Sequence, residues 1–182
     1  YTEIWSPNNS YEQLANVLLN NHRYSDYKKN TVLAAYMNYD ISNGFGFVNA
    51  PGILLTNSVI FAFGGSHIEL GGHYLANEYF PNNNLQMKTD LRLDLINYYD
   101  FLTAYENLLR DGGKFENINV QAVDDKMNLG NWPVAEGQVA AVSKKFDDKD
   151  VIHLINFTNA NSMDWGDKKG TQQEPTAIVN SS

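Results

Sequence analysis

Residues 64–84, GGSHIELGGHYLANEYFPNNN, place an imidazole, His67, and a carboxylate, Glu69, on a short β-forming run between two glycine pairs. A charge on a strand that enters a core costs free energy unless it is paired or put to use, so Glu69 calls for a partner or a task. Downstream, His73, Asn77, Glu78, Tyr79 and Phe80 mix polar and aromatic groups in one loop. A second grouping is the opening Tyr1-Thr2-Glu3-Ile4-Trp5, where a carboxylate stands two residues from a large ring. A third is Tyr36, Asn38, Tyr39 and Asp40. Carboxylates beside amides and rings, without clustered cations, suit a sugar better than a phosphate.

The elements that position these groups are legible from periodicity. Residues 1–5 alternate as a strand and close in the turn cluster Ser6-Pro7-Asn8-Asn9. Ser10 and Gln13 form a capping box for a helix whose apolar face is Tyr11, Leu14, Ala15, Val17 and Leu18. Residues 31–37 are a nearly continuous apolar run, as expected of a strand covered on both faces. Residues 38–49 read as a loop, and Pro51 suits the first turn of a second helix that Gly64-Gly65 ends. A strand over 67–70 and a third helix over about 89–110, stopped by Gly112-Gly113, complete the series. Buried strands alternating with helices mean parallel pairing. With neither GxGxxG nor GxxxxGK[ST] present, three such units favour the tail of a (β/α)8 barrel over a doubly wound sheet. After Gly113 the helical period disappears, and residues 118–123, 137–146 and 151–156 are β-rich. We therefore expect barrel units over residues 1–113 and the beginning of an all-β module over residues 114–182.

In α/β barrels the reacting groups sit at the carboxyl ends of the strands. That rule brings together Glu3 and Trp5 from one strand, Tyr36, Asn38, Tyr39 and Asp40 from the next, and Glu69 with His73 from the third. Cleavage of a glycosidic bond needs such a set: one carboxylic acid protonates the leaving oxygen, another supports the oxocarbenium ion, and rings and amides hold the sugars. Each residue also has a plainer reading. Glu3 serves equally as a strand-end group reaching solvent, Glu69 as half of a structural ion pair, and Trp5 as packing. His67 faces opposite Ile68, where histidines are usually hydrogen-bonded core residues, whereas His73 lies in a glycine loop open to ligand.

Composition narrows the field. The 182 residues carry 43% hydrophobic and 13% aromatic side chains, and a net charge of −8. Nucleic-acid binding requires clustered cations, and the lysine pairs at 28–29, 144–145 and 168–169 are isolated. There is no cysteine, and none of the four histidines pairs at i, i+4 spacing, so no metal site or cofactor is expected. No apolar run approaches the roughly 18 residues of a membrane span. The chain starts without Met inside a strand, as expected of a piece of a larger protein.

The segments YTEIW, VLAAYMNYD, GGSHIELGGHYLANEYFPNNNLQM and YYDFLTAYENLLRDG, in this order, resemble the family 66 glycoside hydrolases, which comprise endodextranases and cycloisomaltooligosaccharide glucanotransferases. The likeness runs from Tyr1 to about Trp165. It implies a (β/α)8 catalytic barrel followed by a β-sandwich, and a retaining mechanism on α-1,6-linked glucan with an Asp nucleophile and a Glu acid/base. Glu3, in the Tyr-x-Glu-x-Trp position, then corresponds to the acid/base. Tyr36, Asn38, Glu69 and His73 correspond to residues lining the glucose site, and the strand-end rule adds Trp5 and Tyr39 to the expected substrate contacts. The nucleophile belongs to an earlier strand outside these residues, so the isolated chain should be inactive. Gly72 departs from the acidic residue that family members carry after Leu-Gly. The glucanotransferases carry a carbohydrate-binding insertion in the later barrel that is absent between Glu3 and Trp132, which favours hydrolysis over cyclisation. The expected substrate is dextran or an isomaltooligosaccharide, acted on by a secreted or cell-surface bacterial enzyme. The rival to an enzyme is a non-catalytic glucan-binding module.

Overall fold

The computed structural model describes residues 1–176 apart from 6, 69–75, 77–83 and 124–125. In chain order the first elements are β1 (Thr2–Ile4), α1 (Tyr11–Tyr24), β2 (Thr31–Ala35), a 3-10 turn (Tyr39–Ile41), β3 (Gly46–Phe47), α2 (Ala50–Ala62) and β4 (Gly65–His67). Then follow β5 (Leu85–Gln86), α3 (Thr89–Ala104), α4 (Glu106–Leu109), β6 (Lys114–Phe115), β7 (Leu129–Asn131), β8 (Val139–Phe146) and β9 (Lys149–Asn156).

β1, β2 and β4 form a parallel sheet in that order, each joined to the next through a helix. Register fixes what each face carries, because paired residues of parallel strands point the same way and neighbours along a strand point opposite ways. Ile4 pairs with Ala35, and Leu33 with His67. Ile4, Leu33 and Ala35 join Leu14 and Leu18 of α1 and Ile53 and Ile60 of α2 in the main core. Glu3 pairs with Ala34 and Val32 with Ser66, so the other face presents Glu3, Trp5, Ala34 and Tyr36. There Ala34, Tyr36 and Ile68 make a separate small cluster. The sheet thus has a helix-covered side and a side that carries Glu3, Trp5 and Tyr36.

The helices form for local reasons. Ser10 Oγ accepts from the Gln13 N–H at 3.1 Å, and the Gln13 side chain accepts from the Ser10 N–H at 3.0 Å; a cap of this kind stabilises a helix by about 1 kcal/mol. α2 has Pro51 in its first turn and buries residues on all sides, from Ile53 to Ala62, because α1, α3, the parallel sheet and β9 all pack against it. Gly64 ends this stretch with φ 73°, and a Cβ added at Gly65 would lie 2.5 Å from Leu18 Cδ2.

β8 is the middle of the second sheet, antiparallel to β6 and β9 and parallel to β7. The core is continuous across both sheets, taking in Ala140, Val142, Ile155, Phe157 and Trp165. Lys144 of β8 is 3% exposed yet charged. Its Nζ donates to the Leu109 carbonyl at the end of α4 at 2.8 Å and stands over the Phe115 ring. Burial pulls the amine pKa down to about 8, against the opposing pull of Asp111.

Four expected boundaries differ. The strand anticipated over 67–70 begins at Gly65, and residues 69–70 lie outside the described part. The third helix stops at Ala104, and Tyr105 serves both as its C-cap and as the N-cap of α4. Residues 118–123 hold no strand; the pairing partners of β8 come instead from β6 and β7. Residues 38–49, expected to be loop throughout, contain the 3-10 turn and β3, which pairs with β5. Pairs only two residues long show no alternation for a period search to detect.

Candidate functional site

Glu3 and Trp5 lie on the open face of β1 and its C-terminal extension, about 7 Å apart along the strand by the β rise. Glu3 is exposed, and the Tyr1 hydroxyl donates to its Oε1 at 2.8 Å. That hydrogen bond, with burial and the adjacent carboxylate adding to it, raises the phenol's pKa. Trp5 stacks on Tyr36 of the neighbouring strand, with centroids 5.2 Å apart and planes 19° from parallel. Trp5 remains 47% exposed, while Tyr36 is 4% exposed. The indole is therefore backed by a ring on one side and open to a ligand.

This stack forms one wall of a cleft of about 340 Å³, at the small end of the range for small-molecule sites. Tyr39 and Asp40 line it from the turn after β2, and Asn9 from the turn after β1. Trp165, Gly166 and Lys168 close it from a strap that returns from the second sheet. Of the expected site residues the structure gathers Trp5, Tyr36 and Tyr39 around the cleft, with Glu3 on the same sheet face but not among the lining residues. Glu69 and His73 lie outside the described residues.

Asn38, expected among the substrate contacts, is placed behind the cleft wall. It is fully buried in a left-handed conformation, φ 55°. Its N–H donates to the Gly166 carbonyl at 2.8 Å, and its amide Nδ2 to the Asp167 carbonyl at 2.6 Å. Its Oδ1 accepts from the Asn49 N–H at 2.9 Å. With the amide engaged on both ends, Asn38 braces the wall from behind and does not line the cleft.

The strap is the part that residue-by-residue reading missed. The Trp165 N–H donates to the Asn9 carbonyl at 2.9 Å, its indole N–H to the Asn8 carbonyl, and its own carbonyl accepts from Thr56 Oγ1 at 2.9 Å. The neighbouring Asp167, 6% exposed, takes Asn49 Nδ2 on Oδ2 at 2.7 Å. Its Oδ1 accepts the Thr171 and Gln172 N–H groups at 2.8 and 3.1 Å. The carboxylate sits over Gly52 in the first turn of α2, so close that a Cβ there would lie 2.7 Å from Oδ2. A helix N-terminus favours a negative group at that place. The one sequence cue was a lone Trp in a polar, turn-rich stretch, and nothing local says that it folds back to the β2 terminus.

His67 belongs to the helix-covered face, as its register opposite Ile68 implied. It is 4% exposed; Nε2 donates to the Ala35 carbonyl at 3.0 Å and Nδ1 lies 2.7 Å from the Asn57 amide. Burial lowers its pKa to about 4, with the Ala35 hydrogen bond opposing. The folded value lies below the unfolded one near 6.5, so the unfolded chain takes up a proton that the native one refuses. The stability that His67 contributes therefore falls as pH drops from about 6.5 towards 4 and levels off below, by up to about 3 kcal/mol, and His153, whose pKa burial also lowers to about 4, adds to the slope in the same window. Urea midpoints across that window check this, and His67→Gln should flatten the slope.

No group of three or more His, Cys, Asp and Glu side chains able to hold a metal occurs among the described residues. No helix among them is long and apolar enough to cross a membrane.

Comparison with known proteins identifies relatives of the chain. The chain is 32% identical over 161 residues to a cycloisomaltooligosaccharide glucanotransferase of Niallia circulans, covering 79% of this chain and 16% of that protein. It is 28% identical over 143 residues to a dextranase of Streptococcus salivarius, covering 71% of this chain and 17% of the relative. The chain thus spans about one sixth of the length of these curated relatives. The crystal structure of a Paenibacillus sp. cycloisomaltooligosaccharide glucanotransferase complexed with cycloisomaltoheptaose superposes with a TM-score of 0.81 at 21% identity, over 97% of this chain and 43% of that one; this likeness concerns the fold. The model of glycosyl hydrolase family 66 matches residues 1–182, and the chain belongs to that family.

Proposed function

We propose that this chain is the later part of a retaining endo-acting glycoside hydrolase that cleaves α-1,6-glucosidic bonds of dextran. The supporting observation is the shared sheet face: Glu3, Trp5 and Tyr36 stand together at the carboxyl ends of two adjacent parallel strands, beside a cleft walled by stacked rings. In this reading Glu3 is the acid/base. It gives its proton to the glycosidic oxygen as the bond to the anomeric carbon breaks, then takes one from the water that releases the sugar. Trp5 offers its open face to a glucose ring, Tyr36 backs it, and Tyr39, Glu69 and His73 contact the bound glucan. Residues 1–113 supply the last units of a (β/α)8 barrel, and residues 114–182 begin a β-sandwich. The aspartate nucleophile comes from an earlier strand of the longer protein, so these 182 residues alone are inactive. Such a protein would be secreted or displayed on a bacterial cell surface.

The test is product analysis with the full-length protein. Dextran should be shortened to isomaltooligosaccharides whose nascent reducing ends are α by proton NMR, and amylose should be untouched. β products would replace the retaining mechanism by an inverting one, and no action on dextran would end the enzyme reading and favour a glucan-binding module. Cyclic products would identify a glucanotransferase, the activity named for the 32% identical relative.

A further inference from the structure

We infer that the cleft is a composite sugar subsite in which Lys168, carried on the strap, selects the sugar together with Asp40. This rests on the carbohydrate reading above and adds to it the residues that read the hydroxyl groups. Trp5, Tyr36 and Trp165 give the cleft its apolar surface, and Asn9, Asp40 and Lys168 its polar one. Neither Asp40 nor Lys168 forms a hydrogen bond or ion pair with another described residue. Their capacity is complementary: an ammonium offers three donors and no acceptor, a carboxylate only acceptors, and Asn9 both. Hydroxyl groups, which donate and accept, satisfy all three. An anionic ligand would be drawn to Lys168 but repelled by Asp40 in the same cleft, so the set favours a neutral polyol over a phosphate.

What separates Lys168 from an ordinary surface lysine is its anchorage. It follows Asp167, whose carboxylate holds Asn49, Thr171 and Gln172, and Gly166, whose carbonyl is held by Asn38. The Gly170 N–H turns back to the Asp167 carbonyl at 2.8 Å. The ammonium therefore starts from a fixed backbone, which reduces the ordering cost of binding. Asp167 acts here as a positioning residue and Lys168 as the contact. The subsite exists only when the strap is docked, so sugar binding and docking of the second sheet are coupled.

The experiment titrates isomaltotriose against the tryptophan fluorescence of the full-length protein carrying Glu3→Gln, which binds without turning over. Adding Lys168→Met should raise Kd about tenfold, equivalent to about 1.4 kcal/mol. Lys168→Arg, which keeps the charge, should stay within about threefold. In the active protein Lys168→Met should raise KM with little change in kcat, as loss of uniform binding does. A Kd unchanged by Lys168→Met, with isomaltotriose still bound, overturns this inference and leaves the hydrolase reading intact. Failure of the Glu3→Gln protein with Lys168 in place to bind isomaltotriose at all removes both.

Discussion

If the proposed role of Glu3 holds, Glu3→Gln in the full-length protein should lower turnover of dextran by about three orders of magnitude and change dextran binding little. General acid–base catalysis contributes roughly 10² to 10⁴, and a retaining glycosidase uses the same carboxyl group twice, as acid and then as base. Gln keeps the size of the side chain and can still meet the Tyr1 hydroxyl that donates to Glu3, so the surroundings of Trp5 and Tyr36 are undisturbed. What it lacks is a transferable proton. The effect should shrink in the first chemical step for an α-glucosyl fluoride, whose leaving group needs no protonation, and persist in the second, where a base must activate water. This split identifies the role, because a variant that merely loosens the site would slow both substrates alike. Turnover within tenfold of wild type on dextran would remove Glu3 from the chemistry.

The difference between Glu3 and Asn38 shows how far residue types and spacing carry. Strand periodicity with the strand-end rule placed Glu3, Trp5 and Tyr36 on one face, because a period of two and parallel register leave no freedom once the strands pair. The Ser10–Gln13 box, the Pro51 start of α2 and the buried character of His67 were legible for the same reason: each depends on neighbours within a few residues. Asn38 looked equivalent to Tyr36, two residues earlier. Its left-handed backbone breaks the alternation and turns its amide towards the strap. That turn depends on Gly166 and Asp167, about 130 residues away in sequence and outside any local window. The strap was hidden on the same ground, since side-chain bonds to distant backbone carbonyls leave no periodic trace. The sites that escape a reading of this kind are those where two distant segments are held together by polar groups.

Asp167→Ala is the substitution expected to cost the most stability, about 3 kcal/mol or more, and to open the cleft as it does so. The carboxylate receives the Asn49 amide and the Thr171 and Gln172 N–H groups in a setting that is 6% exposed. Removing it leaves buried donors without acceptors, at about 1–3 kcal/mol each. Asn49 keeps a bond to the Gln172 carbonyl at 3.0 Å, which limits the loss on that side. Asp167→Asn should be intermediate: one oxygen survives, but the new NH2 faces donors on whichever side it takes. Gly52→Ala approaches the same group from α2, with its methyl 2.7 Å from the carboxylate oxygen, and should cost about 1–3 kcal/mol through overpacking. Because both changes act on one group, their effects in the double variant should fall short of the sum. Urea denaturation of the four proteins measures this. An Asp167→Ala variant within about 0.5 kcal/mol of wild type, the range of an ordinary surface change, would mean that Trp165 and the Asn38 bonds to the Gly166 and Asp167 carbonyls hold the strap without the carboxylate, and that the position of Lys168 owes nothing to that side chain.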